Sequence, residues 1–329
     1  MGYMIGVDGG ATGTVAILTE TDGTVLQTAK AKASNYIAVG KDDAKAALHA
    51  VIHEVVEKAG KSLQDCTVAV FGLAGLNSDH DAEVYRSLIE PIGLGGELYI
   101  ENDIVIAWAA ATNCDPGVVV IAGTGSSAFG VNAEGQRVKT LGWDYILADQ
   151  GSGYWIGLEG VRTAIKSWDG RIPPTPLLEA MVRHYKLEKA EEMLTYAHSP
   201  AFDKTNIASF AKEVSRCANE ENDIAAQTIL SRAGDELGQA VVAVIQRLGI
   251  AGDTFTVGMV GGAFRSGEYL TKPFEEKILA TAPNANIQFA RYPSVIGAVI
   301  YAHYKHGTLN NQLLQTLENS AGDLLRWKS

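Results

Sequence analysis

Two glycine-rich turns, each placed between the first two strands of a repeated pattern, constrain the fold of this chain more than any other sequence feature. The first turn lies in the segment Asp-Gly-Gly-Ala-Thr-Gly-Thr at residues 8–14. The second is Gly-Thr-Gly-Ser at residues 123–126. Because glycine lets backbone N–H groups come close to an anion, each turn predicts a phosphate-binding hairpin. For either turn alone an ordinary hairpin is the alternative. Their equivalent positions favour phosphate binding for both.

The segments around the turns predict an α/β protein with an internal duplication. In each half, three short strands rich in β-branched residues precede alternating helices and strands, in the order βββαβαβ. The second half restarts at Asp115 and is interrupted by a helix-rich insertion at about 154–249. We therefore predict an N-terminal lobe over residues 1–112 and a C-terminal lobe over residues 113–329, with a ligand cleft between them. The final helix is expected to pack on the N-terminal lobe.

Composition and charge limit the function classes. Apolar residues make up 47% of the 329 residues and charged residues 20%, which is typical of a globular protein. The net charge of −11 disfavours a protein whose main partner is nucleic acid, since phosphate neutralisation needs a surplus of Lys and Arg. No apolar run reaches membrane-spanning length, and no signal-peptide pattern opens the sequence. The three cysteines lack any CxxC spacing, which fits a reducing compartment, so we expect a cytoplasmic protein. Because no apolar run is long enough, we expect no membrane partner.

Two aspartates are candidates for phosphoryl-transfer chemistry. Asp8 precedes the first glycine turn, and its carboxylate would act as an outer ligand of Mg²⁺, directly or through water. Asp103 follows Glu101 and Asn102 at the end of the fifth predicted strand. Transfer of a phosphoryl group to an alcohol needs a carboxylate near the hydroxyl, so Asp103 is the candidate general base. The alternative for Asp103 is a helix N-cap, and the two roles can coexist.

Four motifs in a fixed order carry a resemblance to a known family. Asp-Gly-Gly-x-Thr at 8–12, Asn-Asp at 102–103, Gly-Thr-Gly-Ser at 123–126 and Asp-Gln-Gly-Ser-Gly at 149–153 resemble the N-acetylglucosamine kinase family, also called the BadF/BadG/BcrA/BcrD ATPase family. The resemblance covers essentially the whole chain. It implies two actin-like (ribonuclease H-like) lobes and ATP-dependent phosphorylation of a sugar hydroxyl, namely the 6-OH of N-acetylglucosamine or glucosamine. It also implies Mg²⁺ as cofactor, and a homodimer is compatible with it.

The resemblance also assigns roles to individual residues. It makes Asp103 the catalytic residue and leaves Asp8 as the metal ligand. The residues implied in ATP binding are Gly9, Gly10, Thr12, Gly123, Thr124, Gly125, Ser126, Gly261 and Gly262. The residues implied in sugar binding are Asn35, Asn102, Asp103, Thr124, Trp143, Asp149 and Gln150.

The residues themselves support the sugar-binding assignments unevenly. Trp143 offers a flat apolar face on which a sugar can stack, but Trp is equally common in a protein core. Asp149 precedes a helix, so a capping turn is the alternative to hydrogen bonding with sugar hydroxyls. Asp144 and Gln150 depart from the commoner family pattern, and the Asp149-Gln150 version is similar to glucosamine kinases. The choice between glucosamine and N-acetylglucosamine stays open.

Two other functional classes compete with a sugar kinase. One is the activator ATPase of 2-hydroxyacyl-CoA dehydratases, which needs paired thiolates for an iron–sulfur cluster, whereas Cys66, Cys114 and Cys217 show no cluster spacing. The other is a non-catalytic regulator that binds sugar or nucleotide. No helix-turn-helix pattern precedes Tyr3, and the acidic charge gives no basic face for DNA. A sugar kinase is therefore the prediction.

Overall fold

The secondary structure of the protein follows the predicted order closely. The computed structural model describes residues 2–322. The elements up to residue 115 are β1 (Tyr3–Gly9), β2 (Thr14–Glu20), β3 (Val25–Ala31), α1 (Tyr36–Val39), α2 (Lys41–Lys58), β4 (Cys66–Leu73), α3 (Asp79–Ile89), β5 (Glu97–Asn102) and α4 (Asp103–Thr112). The strands that follow are β6 (Gly117–Ala122), β7 (Ser126–Val131) and β8 (Arg137–Leu141). Of the first group, only the short α1 has no counterpart in the sequence-based prediction.

The remaining elements are mainly helical. They are α5 (Gly153–Trp168), α6 (Leu177–His184), α7 (Met193–Ala197), α8 (Lys204–Ser209), α9 (Ala211–Glu220), α10 (Ile224–Leu248), β9 (Thr256–Val260), α11 (Glu268–Leu279), β10 (Asn286–Phe289), α12 (Ser294–His306) and α13 (Asn311–Ala321). A 3₁₀ helix, Gly262–Ser266, follows β9. The chain forms two compact units, which we call the first unit (described residues 2–115 and 289–322) and the second unit (residues 116–288).

The first unit is built on a five-stranded mixed sheet in the order β3-β2-β1-β4-β5. β1 is antiparallel to β2 and parallel to β4, and β4 is parallel to β5. In this register Gly9 pairs with Leu73, and Leu73 pairs with Asn102. The carboxyl ends of three neighbouring parallel strands therefore lie at one edge of the sheet, which is the edge where ligands bind in open α/β sheets.

The core of the first unit explains why β1 is a nearly continuous apolar run. Tyr3, Met4, Ile5 and Val7 are all fully buried, since β1 is a central strand covered on both faces. On one face α12 packs against β1 and α4. A Cβ at Gly297 of α12 would overlap the carbonyl oxygen of Ile106 in α4, so the close crossing of these helices requires glycine there.

The second unit repeats the arrangement of the first. Its five-stranded sheet has the order β10-β9-β6-β7-β8, with β6 antiparallel to β7 and parallel to β9. The duplicated mixed-sheet fold predicted from the sequence is therefore confirmed. The helical insertion, α5 to α10, separates β8 from β9. Although α10 spans 25 residues, no helix within residues 2–322 is both long enough and apolar enough to cross a membrane.

Candidate active site

The first glycine turn is held rigidly at the end of β1. Gly10 N donates to Gly13 O at 2.9 Å, and Gly10 O accepts hydrogen bonds from Ser34 N at 3.1 Å and Asn35 N at 3.3 Å. Gly9 packs so closely on Ser34 that a Cβ would overlap its hydroxyl oxygen. Beside the turn lies a cavity of about 440 Å³. Its lining is Asp8, Gly10, Thr12, Gly13, Thr14, Val15, Lys30 and Ala31.

Asp8 and Asp103, which the sequence analysis selected separately, influence each other electrostatically. Burial and, to a smaller extent, the negative charge of Asp103 together raise the pKa of Asp8 to about 7. A carboxyl group in such a place is held back from ionising unless a cation approaches it. Oxygen donors of this type are the ligands that Mg²⁺ prefers, so the chemistry of the pair fits the predicted metal.

The cap of α4 belongs to Asn102 and not to Asp103. The side chain of Asn102 accepts a hydrogen bond from Ile104 N at 3.1 Å and donates to Leu76 O at 2.7 Å. Asp103 is the first residue of α4, in the turn where the helix dipole favours negative charge. The side chain of Asp103 is therefore not required as the cap, and its negative charge acts on the carboxyl group of Asp8.

Asn35 lies next to the first turn, in a region held by several side-chain hydrogen bonds. The Asn35 side chain accepts from Ile37 N at 3.0 Å and so caps α1. Tyr36 donates to Asp81, which also accepts from Ser78 Oγ at 2.8 Å, and Tyr85 donates to Ala74 O at 2.7 Å. Sequence reasoning missed Asp81 and Tyr85, because an isolated acid or aromatic residue in a helix shows no motif.

The second glycine turn is clamped by the Asp-Gln-Gly-Ser-Gly segment. Gly123 N donates to Gly125 O at 2.9 Å, and Gly123 O accepts from Gly153 N at 2.7 Å. Ser126 Oγ donates to Gln150 O at 2.9 Å. Two motifs that are far apart in sequence thus form one rigid loop at the N-terminus of α5. Gln150 contributes its backbone to this loop, while the sugar contact predicted for its side chain stays a prediction.

A pocket of about 500 Å³ in the second unit adjoins this loop. Gly261 has φ 106°, and a Cβ there would overlap the carbonyl oxygen of Ala122 at the end of β6. Only glycine fits at this close approach of the two backbones. The pocket is lined by Gly262 and the second turn, which are two of the predicted ATP-binding segments. Residues of α8 and α9, which no sequence motif had identified, also line it. Its lining is Gly123, Thr124, Gly153, Thr205, Ala208, Ser209, Ala211, Lys212, Ser215, Gly262, Ala263, Arg265 and Ser266.

Asp149 is buried beneath the second glycine turn. It is only 4% exposed and has a left-handed backbone with φ 62°. A Cβ at Gly125 would lie 2.6 Å from Asp149 Oδ2. Its other carboxylate oxygen, Oδ1, has no hydrogen-bond partner within residues 2–322. Ser152, which accepts from Trp155 N at 3.2 Å, is the cap of α5, so the capping alternative for Asp149 is wrong.

Trp143 lies on the surface loop between β8 and α5. It is 73% exposed, so it is not a core residue and the alternative of a structural role in packing is wrong. Ile146 and Leu147 on the same loop are similarly exposed. An exposed aromatic ring of this size offers an apolar face to a ligand. Stacking of a sugar on Trp143 stays a prediction.

Comparison with known proteins agrees with the geometry. The profile of the BadF/BadG/BcrA/BcrD ATPase family matches residues 5–302. The N-acetylmuramic acid/N-acetylglucosamine kinase of Clostridium acetobutylicum is 32% identical over 302 residues, covering 92% of this chain and 98% of that protein. The N-acetyl-D-glucosamine kinase of Dictyostelium discoideum is 30% identical, with 91% and 97% covered. The solved structure of a candidate N-acetylglucosamine kinase from Chromobacterium violaceum superposes with a TM-score of 0.72 at 24% identity, covering 91% of this chain and 98% of that one.

Proposed function

The chain belongs to the BadF/BadG/BcrA/BcrD ATPase family, and from this premise we propose that it is an ATP-dependent kinase that phosphorylates a hydroxyl of an amino sugar. The observation that carries the proposal is the pair of carboxyl groups, Asp8 and Asp103, placed by parallel strands beside a rigid glycine turn. Two relatives that match nearly the whole chain are kinases of N-acetylated amino sugars.

The first unit supplies the acid–base and metal chemistry in this proposal. Asp103 accepts the proton of the sugar hydroxyl as its oxygen attacks the terminal phosphorus of ATP, and the bond from that phosphorus to the ADP oxygen breaks. Asp8 would hold Mg²⁺ together with phosphate oxygens and water, and the metal would neutralise charge on the phosphates. We assign Gly9, Gly10 and Thr12 to the phosphates, which the turn would approach with its backbone; the N–H of Gly10 is not itself a phosphate donor, because it donates to Gly13 O.

The second unit supplies the nucleotide pocket. We assign the phosphates to the turn at Gly123–Ser126, because its backbone is clamped open by the N-terminus of α5. The adenosine lies toward Gly261 and Gly262, on the side where the pocket of about 500 Å³ opens between the 3₁₀ helix and α9. This pocket volume is in the range of small-molecule sites.

Several polar side chains are available to hold the sugar. Asp149 Oδ1 is a buried acceptor without a partner among the described residues, and a sugar hydroxyl is a donor that would satisfy it. Trp143 would stack on the ring of the sugar. The further residues that we assign to sugar binding are Asn35, Asn102, Thr124 and Gln150. The acceptor hydroxyl is the 6-OH, because it is the primary and least hindered hydroxyl of an amino sugar.

The cysteines favour a kinase over the activator ATPase. Burial raises the pKa of Cys66 to about 12 and that of Cys217 to about 11, so neither thiol is ready to act as a thiolate ligand. Cys66 and Cys114 lie in the first unit and Cys217 in the second, and each is buried and outside any disulfide.

One assay tests the proposed function. Purified protein is incubated with ATP, Mg²⁺ and, separately, glucosamine, N-acetylglucosamine, N-acetylmuramic acid, N-acetylmannosamine and glucose, while ADP release is followed. We expect sugar-dependent ADP release with an amino sugar and a phosphate ester at the 6-position, detected by mass spectrometry and NMR. Turnover with none of the amino sugars would contradict the proposal.

A further inference from the structure

Lys204, at the first position of α8, lies beside the buried carboxylate of Asp149. Its Nζ is 3.9 Å from Asp149 Oδ2 and 3.9 Å from Asp144 Oδ2, and it lies 5.0 Å from the centre of the Tyr145 ring. It is also 3.7 Å from the position that a Cβ on Gly125 would occupy. The lysine therefore belongs to an element of the helical insertion but directs its charge toward the second glycine turn. Neither the sequence motifs nor the family resemblance pointed to it.

The environment of Asp149 explains why a cation is needed there. A carboxylate with a side chain that is 5% exposed loses most of its hydration, so the neutral form is favoured unless a partner compensates. Its Oδ1 has no hydrogen-bond partner within residues 2–322, so no hydrogen bond to Oδ1 offsets the cost of burying the charge. The backbone N–H groups of Gly142 and Ser126 favour the charged form, and Lys204 is the cation that favours it most.

We propose that Lys204 is a positioning residue for the kinase reaction, which holds Asp149 charged and oriented so that its free Oδ1 accepts a hydrogen bond from a sugar hydroxyl. The inference rests on the proposed function, because it takes Asp149 as a sugar ligand. It goes beyond it by assigning a role to α8, whose other residues Thr205 and Ala208 line the nucleotide pocket. A single short helix thereby contributes to both substrate sites of the second unit.

The charges around Asp149 give the direction of the effect. Burial raises the pKa of Asp149, Lys204 lowers it, and the negative charge of Asp144 raises it. Asp203 precedes Lys204, but its carboxylate accepts from Asn206 N at 2.7 Å as the cap of α8. Tyr145 packs on Tyr154 of α5 with ring centroids 4.7 Å apart, and burial raises the pKa of Tyr154. Loss of Lys204 should therefore raise the pKa of Asp149, and loss of Asp144 should lower it.

The test compares Lys204→Met, Lys204→Arg and Asp144→Asn with wild type, by measuring KM for the amino sugar and for ATP from pH 5.5 to 9. For Lys204→Met we expect the sugar KM to rise about 10-fold or more at pH 7 and to improve as the pH rises, because Asp149 then ionises. For Asp144→Asn we expect the loss of sugar affinity at low pH to begin at a lower pH than in wild type. Lys204→Arg keeps the charge and should stay within about threefold of wild type. Lys189→Met, an exposed lysine in the same insertion, is the control for charge loss.

A double-mutant cycle with Asp149→Asn shows whether Lys204 acts through Asp149. In that background Lys204→Met should change the sugar KM by less than about twofold. An equal effect of Lys204→Met with and without Asp149, a pH profile parallel to wild type, or a rise in the ATP KM alone would overturn the role of Lys204. Asp144→Asn, at an exposed position, keeps the test open if Lys204→Met fails to fold. Absence of wild-type turnover with every amino sugar would overturn the proposed function and this inference together, and it is seen before any variant is made.

Discussion

At the scale of single residues, the side chain that caps a helix differs from the neighbouring carboxylate that we assign to the reaction or to ligand binding. Asn102 caps α4, so the carboxylate of Asp103 is not needed as the cap. Ser152 caps α5, which leaves Asp149 available for a ligand. A residue that only capped a helix could be exchanged for another capping residue without loss of activity, and this difference makes the assignment of Asp103 testable.

The first prediction concerns Asp103→Asn. Because Asn102 provides the cap, the variant should keep the thermal midpoint of wild type, while kcat falls by about 10²-fold or more through loss of the general base. Steady-state kinetics and thermal unfolding are measured on the same preparation. Asn102→Ala is the matched control, and it should lower stability by about 1 kcal/mol through loss of the cap. An Asp103→Asn enzyme with nearly full kcat would rule out Asp103 as the base.

The second prediction concerns Asp8→Asn. The pKa of Asp8 is raised to about 7 by burial and by Asp103, so an uncharged isostere should not destabilise the fold. Removing the carboxylate should instead weaken metal support. We expect the Mg²⁺ concentration for half-maximal activity to rise by about 10-fold or more. Unchanged Mg²⁺ dependence in the variant would show that Asp8 does not support the metal.

At the scale of elements, both sites are built where strands end and glycine lets two backbones approach. In the second unit, the chain leaving β9 at Gly261 passes against the last residue of β6, Ala122. This contact sets the distance between the second glycine turn and the 3₁₀ helix on the far side of the pocket. The strand ends are therefore positioned by backbone packing, and the pocket depends on it.

The third prediction follows from that packing. Gly261→Ala should destabilise the second unit by about 1–3 kcal/mol, because alanine is strained at φ 106° and its Cβ meets a backbone carbonyl. Urea unfolding and the affinity for a non-hydrolysable ATP analogue are the measurements, and both should weaken. Gly252→Ala is the control, since no atom lies within 4 Å of its added Cβ, and we expect a change below about 0.5 kcal/mol. Equal stability of the two variants would contradict the role of Gly261.

At the scale of the whole molecule, each unit has a core of its own, and stability can respond to pH within one of them. His303 in α12 is fully buried in the first unit. Its Nδ1 lies 3.0 Å from Thr308 Oγ1, while Nε2 has no hydrogen-bond partner among the described residues. Burial and, to a smaller extent, the neighbouring His306 together lower the pKa of His303 to about 4, while Asp22 opposes them. The folded unit therefore holds this imidazole neutral.

The fourth prediction is a loss of stability in mild acid that depends on His303. Because the pKa in the folded state, about 4, lies below the value near 6.5 of an unfolded chain, stability is fully present above pH 6.5 and falls as the pH drops toward 4. At pH 5 the loss should be about 2 kcal/mol. His303→Gln should flatten the dependence of the unfolding midpoint on pH between 7 and 5, and His80→Gln, at an exposed histidine of the first unit, should leave it nearly unchanged. A His303→Gln profile as steep as that of wild type would refute this.

The sequence by itself determined the duplicated βββαβαβ order, the two glycine turns and the residues Asp8 and Asp103, because strand periodicity and glycine conformation are local properties of the chain. Only the tertiary structure decided which neighbour caps each helix, that Trp143 is exposed, and that Lys204 reaches Asp149. These depend on side chains brought together from distant parts of the sequence, where no spacing or motif records the contact. The charge of one buried carboxylate therefore depends on a helix more than fifty residues away, a relation that only packing could establish.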